Sequence, residues 1–280
     1  MTRLSETGEL GLLAELERLG LIAGVEHDAA QIGVPDGCTS LVATQDALVE
    51  NVHFRLDWID WSELGFRAAA VNLSDLAASG ATPQALLVTL AVPGSTLTAD
   101  VVAFYEGIAE AGVPVVGGDT TAAESVVVSI TALGHSPRVP GRANARPGDL
   151  LVVTGPLGAA GVAFRQQRYA RPPLRLEEGR TLGMTAHALL DISDGIAVDA
   201  GHIARRSGVR CVIDLDAVPL ADGATIDDAG FGEDFELLAA VADPQGFAVV
   251  GRVEAGEGVV TLRGREPYAL RGWEHFGAEA

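Results

Sequence analysis

The sequence contains no lysine: all 19 of its basic side chains are arginines, set against 38 acids for a formal charge of −19. A surface of that sign repels nucleic acid, whose binding rests on neutralising phosphates with basic groups, so neither DNA nor RNA is expected as a partner. Cysteine is almost missing as well. Cys38 and Cys211 are far apart and lack metal-ligand spacing, which argues against a disulfide framework or a zinc site and suits a reducing cytoplasm. No run approaches the roughly 20 apolar residues of a membrane span, and the start, Met-Thr-Arg-Leu-Ser-Glu-Thr-Gly-Glu-Leu, has no apolar h-region. A cytoplasmic chain without membrane contact is expected.

What is present reads as a globular α/β chain of 280 residues, 48% hydrophobic, with 34 glycines marking many turns. Leu10, Leu13 and Leu16 recur at helical spacing between Glu9 and Leu19. A strand is expected over 40–49, an amphipathic helix from about Glu63 to the Gly80-Ala-Thr-Pro83 stop, a strand over 85–92 and a helix over 99–111. A strand from Val113 runs into Gly117 and Gly118, and an alternating strand covers 126–134. Arg138 to Gly148, rich in Pro, Gly and Arg, reads as a linker, giving domains 1–137 and 138–280. Beyond it we expect a strand over 149–154, helices over 155–169, 175–190 and 196–206, and strands over 210–215, from Gly230, 247–252 and 259–263.

Single acids recur at the ends of these elements. In Val71-Asn-Leu-Ser-Asp-Leu-Ala-Ala-Ser-Gly-Ala-Thr-Pro83, Asn72 and Asp75 share a helix face, while Val71, Leu73 and Leu76 can turn to a core. Thr44, Gln45 and Asp46 interrupt an otherwise apolar strand, and polar groups there need a partner, a ligand or an ion. Asp28 lies in a glycine-flanked turn, and Asp119 follows two glycines that can bring backbone N–H groups close to a ligand. Asp191 and Asp194 bracket Ser193 ahead of a helix, where capping accounts for one acid but not for two. Each signal alone is weak. An isolated Asp is usually a cap, the pair of glycines a turn, and His53 a structural histidine. Gly155-Pro-Leu-Gly-Ala-Ala-Gly161 resembles a nucleotide loop only loosely. Taken together, converging acids repel one another unless cations sit among them, and several Mg²⁺ ions would then also take up phosphates. That points to metal-assisted phosphoryl transfer.

The order and wording of these segments resemble the thiamine-monophosphate kinases, of the aminoimidazole-ribonucleotide-synthetase-like superfamily. The similar stretches are 24–30, 44–54, 71–83, 117–121, 171–175, 191–203, 232–238 and the Gly-Trp-Glu-His-Phe tail. The resemblance implies two domains: an N-terminal mixed sheet with helices on one side that pairs across a homodimer, and a C-terminal α/β sandwich domain completing the substrate site. It implies transfer of the γ-phosphoryl of ATP to thiamine monophosphate without an enzyme nucleophile or an assigned general base. Asp28, Asp46, Asp75, Asp119, Asp191 and Asp194 match acids that hold Mg²⁺, with Thr44 and Gln45 able to add oxygen contacts. Gly118, Asp119, Arg142 and Ser193 match positions near ATP, and His53, Glu233 and Trp273 positions near thiamine phosphate. The chain departs from the pattern at Glu26-His27-Asp28, Thr44-Gln45-Asp46 and Phe231-Gly232-Glu233-Asp234. The changes at His27 and Phe231 keep open a nucleotide- or metal-binding homologue without turnover; another ATP-dependent enzyme of the superfamily is a separate alternative, against which stand the lack of a reactive Cys or Lys near the N-terminus and the aromatic tail.

Overall fold

The computed structural model describes residues 3, 12, 15–16, 18–22, 36 and 40–273. It is a mixed α/β chain whose described residues divide into two compact units, one drawn from Met1–Leu76 and Thr82–Pro137, the other from Ala77–Ala81 and Arg138–Ala280. Among the described residues no helix is long and apolar enough to cross a membrane.

The first unit is a four-stranded sheet of β1 (Ser40–Val49), β2 (Thr82–Val92), β3 (Val115–Ala122) and β4 (Val127–Ser136), in the order β1-β4-β2-β3. β4 runs antiparallel to both β1 and β2, and β3 is parallel to β2. Along β4 every second residue is buried, which gives the sheet two unlike faces. Val128, Ile130 and Ala132 lie on the helix-covered face, where Gly134 is close to Leu76. The covering helices are α1 (Trp61–Ala78) and α2 (Thr98–Glu110). Their backbones touch through two glycines: an added Cβ would lie 1.9 Å from Phe104 O at Gly65 and 1.8 Å from Ser62 O at Gly107. A methyl at either position would force the helices apart. This close packing explains why α1 buries Leu64, Ala68, Ala69, Ala70, Leu73 and Leu76 rather than a narrow stripe.

The second unit carries a seven-stranded sheet in the order β11-β10-β7-β9-β5-β8-β6. Its strands are β5 (Leu150–Val153), β6 (Ala188–Asp191), β7 (Arg210–Asp214), β8 (Leu237–Val241), β9 (Ala248–Glu254), β10 (Gly258–Arg263) and β11 (Glu266–Pro267). Its helices are α3 (Ala159–Arg165), α4 (Leu176–Thr185) and α5 (Ile196–Ser207). Central strands buried on both sides read as unbroken apolar runs. Leu151, Val153, Leu238 and Ala240 pack with Ile196, Ala200 and Ile203 of α5. Val152, Leu237, Ala239 and Val241 pack on the opposite side with Leu182 of α4 and Ala77. A sheet between two helical layers results.

Several boundaries differ from the sequence reading. The helix expected over 175–190 ends at Thr185, and Ala188–Asp191 is a buried strand; a short apolar run does not distinguish the two, and Ala186 is already extended. Gly117 and Gly118 lie within β3, opposite Leu87 and Val88, rather than in a turn. Gly118 adopts φ +149° where a Cβ would lie 1.8 Å from Val88 O, so close approach of two strands explains it. The strand expected from Gly230 begins only at Leu237. The expected linker is tied down: Arg138 donates to Gly183 O at 2.5 Å and to Ala186 O at 2.7 Å, and Ala145 is buried.

Candidate functional site

In the first unit the alternation of β1 decides which predicted residues meet. Thr44 and Asp46 turn toward α1. Thr44 Oγ1 donates to Asp75 Oδ2 at 2.5 Å, and Asp46 N donates to Asn72 Oδ1 at 3.0 Å. Asn72 is itself held by donating from Nδ2 to Ala68 O one turn earlier at 3.0 Å, so it fixes the strand to the helix. The Asp46 carboxyl is pushed up to about 6 by the surrounding protein, by the charge of Asp75 and by a hydrogen bond with that carboxyl. Two acids and a hydroxyl thus form an all-oxygen group in which each carboxylate disfavours ionisation of the other. The donor set fits a hard divalent cation, which favours carboxylate oxygens.

Gln45 points the other way, its Nε2 donating to Ser129 Oγ at 2.9 Å, so it is not brought to Asp46 and Asp75. Asp119 shares that side: it pairs with Thr89, is exposed, and follows the alternation opposite to Thr120, which meets the hydroxyl of buried Tyr105 on α2. Asp119 and Asp46 therefore occupy opposite faces of one sheet. His53 accepts at Nδ1 from Val49 N at 3.1 Å, closing the turn after β1, and that bond accounts for the histidine structurally. Asp28 lies outside the described residues.

In the second unit, by contrast, the structure gathers most of the predicted residues. Asp191 is the buried last residue of β6, and Ser193 and Asp194 follow before α5 begins. Three segments are joined by backbone bonds: Glu233 N donates to Ser193 O at 2.8 Å, Phe235 N to Ile192 O at 2.9 Å and Trp273 N to Asp194 O at 2.9 Å. Glu233 and the half-exposed Trp273 thereby flank the Asp191–Asp194 loop. Arg142 accepts at its carbonyl from Ser207 Oγ at 3.1 Å, and its charge is felt by His202.

Three residues here were missed from the sequence. Asp199, buried in the first turn of α5, accepts from Asp194 N at 3.0 Å. Burial pushes its carboxyl up to about 8, the charges of Asp191 and Asp194 adding to that and the N–H groups of Asp194 and Gly195 opposing it. His202, one turn on, completes with Asp194 and Asp199 a group whose ligand-capable atoms lie within 4.8 Å of one another. Burial and then Arg142 and Arg205 lower its pKa, and Arg205 Nη2 meets its Nδ1 at 3.2 Å. The i, i+3 spacing of Asp199 and His202 was the available signal. The third residue is Asp234, whose two carboxylate oxygens accept from Gly158 N at 2.9 and 2.8 Å, with the N–H groups of Ala159 and Ala160 adding to the bond. Burial raises its carboxyl to about 6 against those bonds. The glycine loop before α3 therefore spends its N–H groups on the chain's own carboxylate. On either side of Asp234, Glu233 and Phe235 adopt left-handed φ of +58° and +52°, a conformation costing about 1–3 kcal/mol per non-glycine residue and concentrated at functional sites.

Comparison with known proteins bears on this arrangement. The family described as AIR synthase related protein, N-terminal domain, matches residues 26–136. The thiamine-monophosphate kinase of Aquifex aeolicus is 32% identical over 312 residues, covering 98% of this chain and 100% of the relative. That of Mycobacterium tuberculosis (strain H37Rv) is 34% identical over 315 residues, covering 98% and 93%. A solved structure of AaThiL complexed with AMPPCP and TMP superposes with a TM-score of 0.78 at 31% identity, covering 99% of each chain. The hydrogenase maturation protein HypE in complex with ATP, at 19% identity and a TM-score of 0.77 over 98% of each chain, shares the fold.

Proposed function

The chain belongs to the thiamine-monophosphate kinase family, and from that premise we infer that it transfers the γ-phosphoryl group of ATP to thiamine monophosphate, giving thiamine diphosphate. The observation that carries this reading on the chain's own residues is the Thr44–Asp46–Asp75 group, two mutually repelling carboxylates and a hydroxyl fixed between β1 and α1. This group would hold Mg²⁺; within the second unit Asp191 and Asp194 are assigned to Mg²⁺ as well, and Asp28 is assigned on the family resemblance. Bound Mg²⁺ supplies charge neutralisation and alignment for phosphates. The protein itself needs no nucleophile, because the acceptor is a phosphate oxygen already largely ionised near neutral pH. Arg142 and Ser193 are assigned to ATP. Glu233 and Trp273 suit a cationic thiamine ring, one by charge and the other by its π face. Gln45 drops out of the metal set, and His53 is kept as a residue near thiamine monophosphate.

A homodimer is supported by the side of the four-stranded sheet opposite α1 and α2. Leu41 there is 56% exposed, Ala43 is exposed, and Leu87 and Leu133 are only partly covered, an apolar side of the kind that a second copy buries. Asp119 and Gly118, assigned to ATP, share this sheet region and would serve at the boundary between copies rather than beside Asp46 of their own chain. Consumption of ATP and a free, buried Cys211 support a cytoplasmic setting.

The test is direct. Purified protein given ATP, Mg²⁺ and thiamine monophosphate is expected to form thiamine diphosphate, resolved by chromatography. Failure to form it while a non-hydrolysable ATP analogue still binds would overturn the kinase reading. Leu133→Asp is expected to convert a dimer to monomer in sedimentation; a monomeric parent protein would remove the dimer from the reading.

A further inference from the structure

The segment between Gly232 and Leu237 holds three anchors in three successive residues. Glu233 N and Phe235 N are bonded to Ser193 O and Ile192 O, and between them the 5% exposed Asp234 is drawn inward onto Gly158 N. Both flanking residues are left-handed although neither is glycine. Such a conformation persists only where the surroundings over-determine it. The receiving end is equally fixed: at Gly158, φ +91°, an added Cβ would lie 2.9 Å from Cβ of both Ala224 and Asp228. Asp228 is in turn bonded to Thr225 N at 2.7 Å, to Thr225 Oγ1 at 2.8 Å and to Arg165. The loop before α3 cannot follow Asp234 if the carboxylate moves, nor can it take up the slack if the carboxylate is lost.

We infer that Asp234 is a positioning residue for substrate selectivity: by seating its carboxylate on the N–H groups of Gly158 to Ala160 it holds Glu233 in the left-handed conformation that presents its side chain to the thiamine moiety. The inference rests on the reading that Glu233 meets thiamine monophosphate. Without the anchor, Glu233 relaxes toward the extended or right-handed conformations that L residues prefer, and its carboxylate leaves the substrate. Asp194 is held separately, by Asp199 and by Trp273 N. Ser193 shares only a main-chain bond with the segment, its carbonyl accepting from Glu233 N, so the larger effect of losing Asp234 falls on thiamine monophosphate and the smaller on ATP.

The experiment compares Asp234→Ala, Asp234→Asn and Glu233→Ala by steady-state kinetics, by calorimetric binding of a non-hydrolysable ATP analogue with Mg²⁺, and by thermal melting. Asp234→Ala is expected to raise KM for thiamine monophosphate about tenfold with a smaller change in kcat, while analogue affinity stays within about twofold. Asp234→Asn keeps one acceptor but turns an NH₂ toward N–H donors, and should raise KM about threefold. If the alanine variant does not fold, the asparagine variant decides by the same two readouts. Unchanged KM in the folded variants, or equal weakening of both ligands as a merely structural role gives, overturns the inference. Unchanged KM in Glu233→Ala instead overturns the underlying assignment of Glu233.

Discussion

Each unit of this protein holds carboxylates with raised pKa values, exposed Asp46 in the first and buried Asp199 and Asp234 in the second, and the two sets are answered differently. At the contact of β1 with α1, Asp46 is set against Asp75, and every influence on its carboxyl raises its pKa. In the second unit Asp199 and Asp234 lie deeper, yet main-chain N–H groups meet both. A carboxylate met by backbone N–H groups is a fastener: it closes a loop and holds its shape. A carboxylate set against another carboxylate has no such internal answer, and a cation supplies it. The first unit offers charge, and the second spends part of its acid on geometry, holding Asp194 and Glu233 in place.

The sharpest way to break this contrast is a pair of isosteric substitutions. Asp75→Asn keeps an oxygen for Thr44 Oγ1 but removes the charge; it should cut turnover by at least about a hundredfold with a melting temperature near that of the parent. Asp199→Asn keeps an oxygen for Asp194 N and should cost less than about fivefold, since its role is that of an acceptor. Equal losses in the two variants would abolish the distinction.

A second measurement tests whether a cation replaces the proton of Asp46. With its carboxyl at about 6, calorimetric titration with Mg²⁺ at pH 6 in buffers of different ionisation enthalpy should report release of up to about half a proton. At pH 8 the release should vanish, because Asp46 is ionised before the cation arrives. Asp46→Asn should show none at either pH. Because Asp46 is exposed, water screens the pair, and its own effect on folding stays below about 1 kcal/mol.

The second unit should show its fasteners in the pH dependence of stability. Asp199 has a folded pKa of about 8, above the unfolded value of about 3.9, so the folded state keeps a proton that the unfolded chain has lost. Stability from this group is fully present below about pH 4 and is lost as pH rises through 8. Asp46 and Asp234, raised to about 6, have completed their loss by pH 7. Thermal melts with a chelator between pH 7 and 8 therefore isolate Asp199, with a slope of at most about 1.4 kcal/mol per pH unit. Asp199→Asn should flatten it. A slope that survives the substitution would assign the loss elsewhere.

How far the sequence revealed these features follows from the range over which each is determined. Local pattern singled out the two segments separately, a small-residue helix with Asn72 and Asp75 on one face and polar residues in an apolar strand; that Thr44 and Asp46 meet α1 emerges only with the strand alternation in the fold. The mixed sheet with helices on one side was implied by the family resemblance, local pattern giving only the alternation of strands and helices. Asp199 and Asp234 were not legible, because what makes each important is a backbone N–H from a distant or folded-back segment, Gly158 in the case of Asp234. Nor could apolar content alone tell that Ala188–Asp191 is a strand. The left-handed Glu233 has no signature either, since glycine is the residue that normally announces that conformation.

Gln45 gives the smallest expected effect and the cleanest test of alternation as the organising rule. Its neighbours on both sides, Thr44 and Asp46, reach α1, and adjacency in sequence made it an attractive additional oxygen ligand. A strand sends successive side chains to opposite faces, and Gln45 Nε2 is bonded to Ser129 Oγ across the β1–β4 pair on the face away from α1. Gln45→Ala should leave Mg²⁺ affinity within about twofold of the parent and lose only an exposed side-chain bond, worth about 1 kcal/mol or less. Thr44→Ala, one residue away, should weaken Mg²⁺ binding by several-fold, because it removes both a ligand oxygen and the bond that orients Asp75. If Gln45→Ala weakened the metal as much as Thr44→Ala, the strand would have to present both residues to one site, and the alternation of β1 on which the Thr44–Asp46–Asp75 group rests would be wrong.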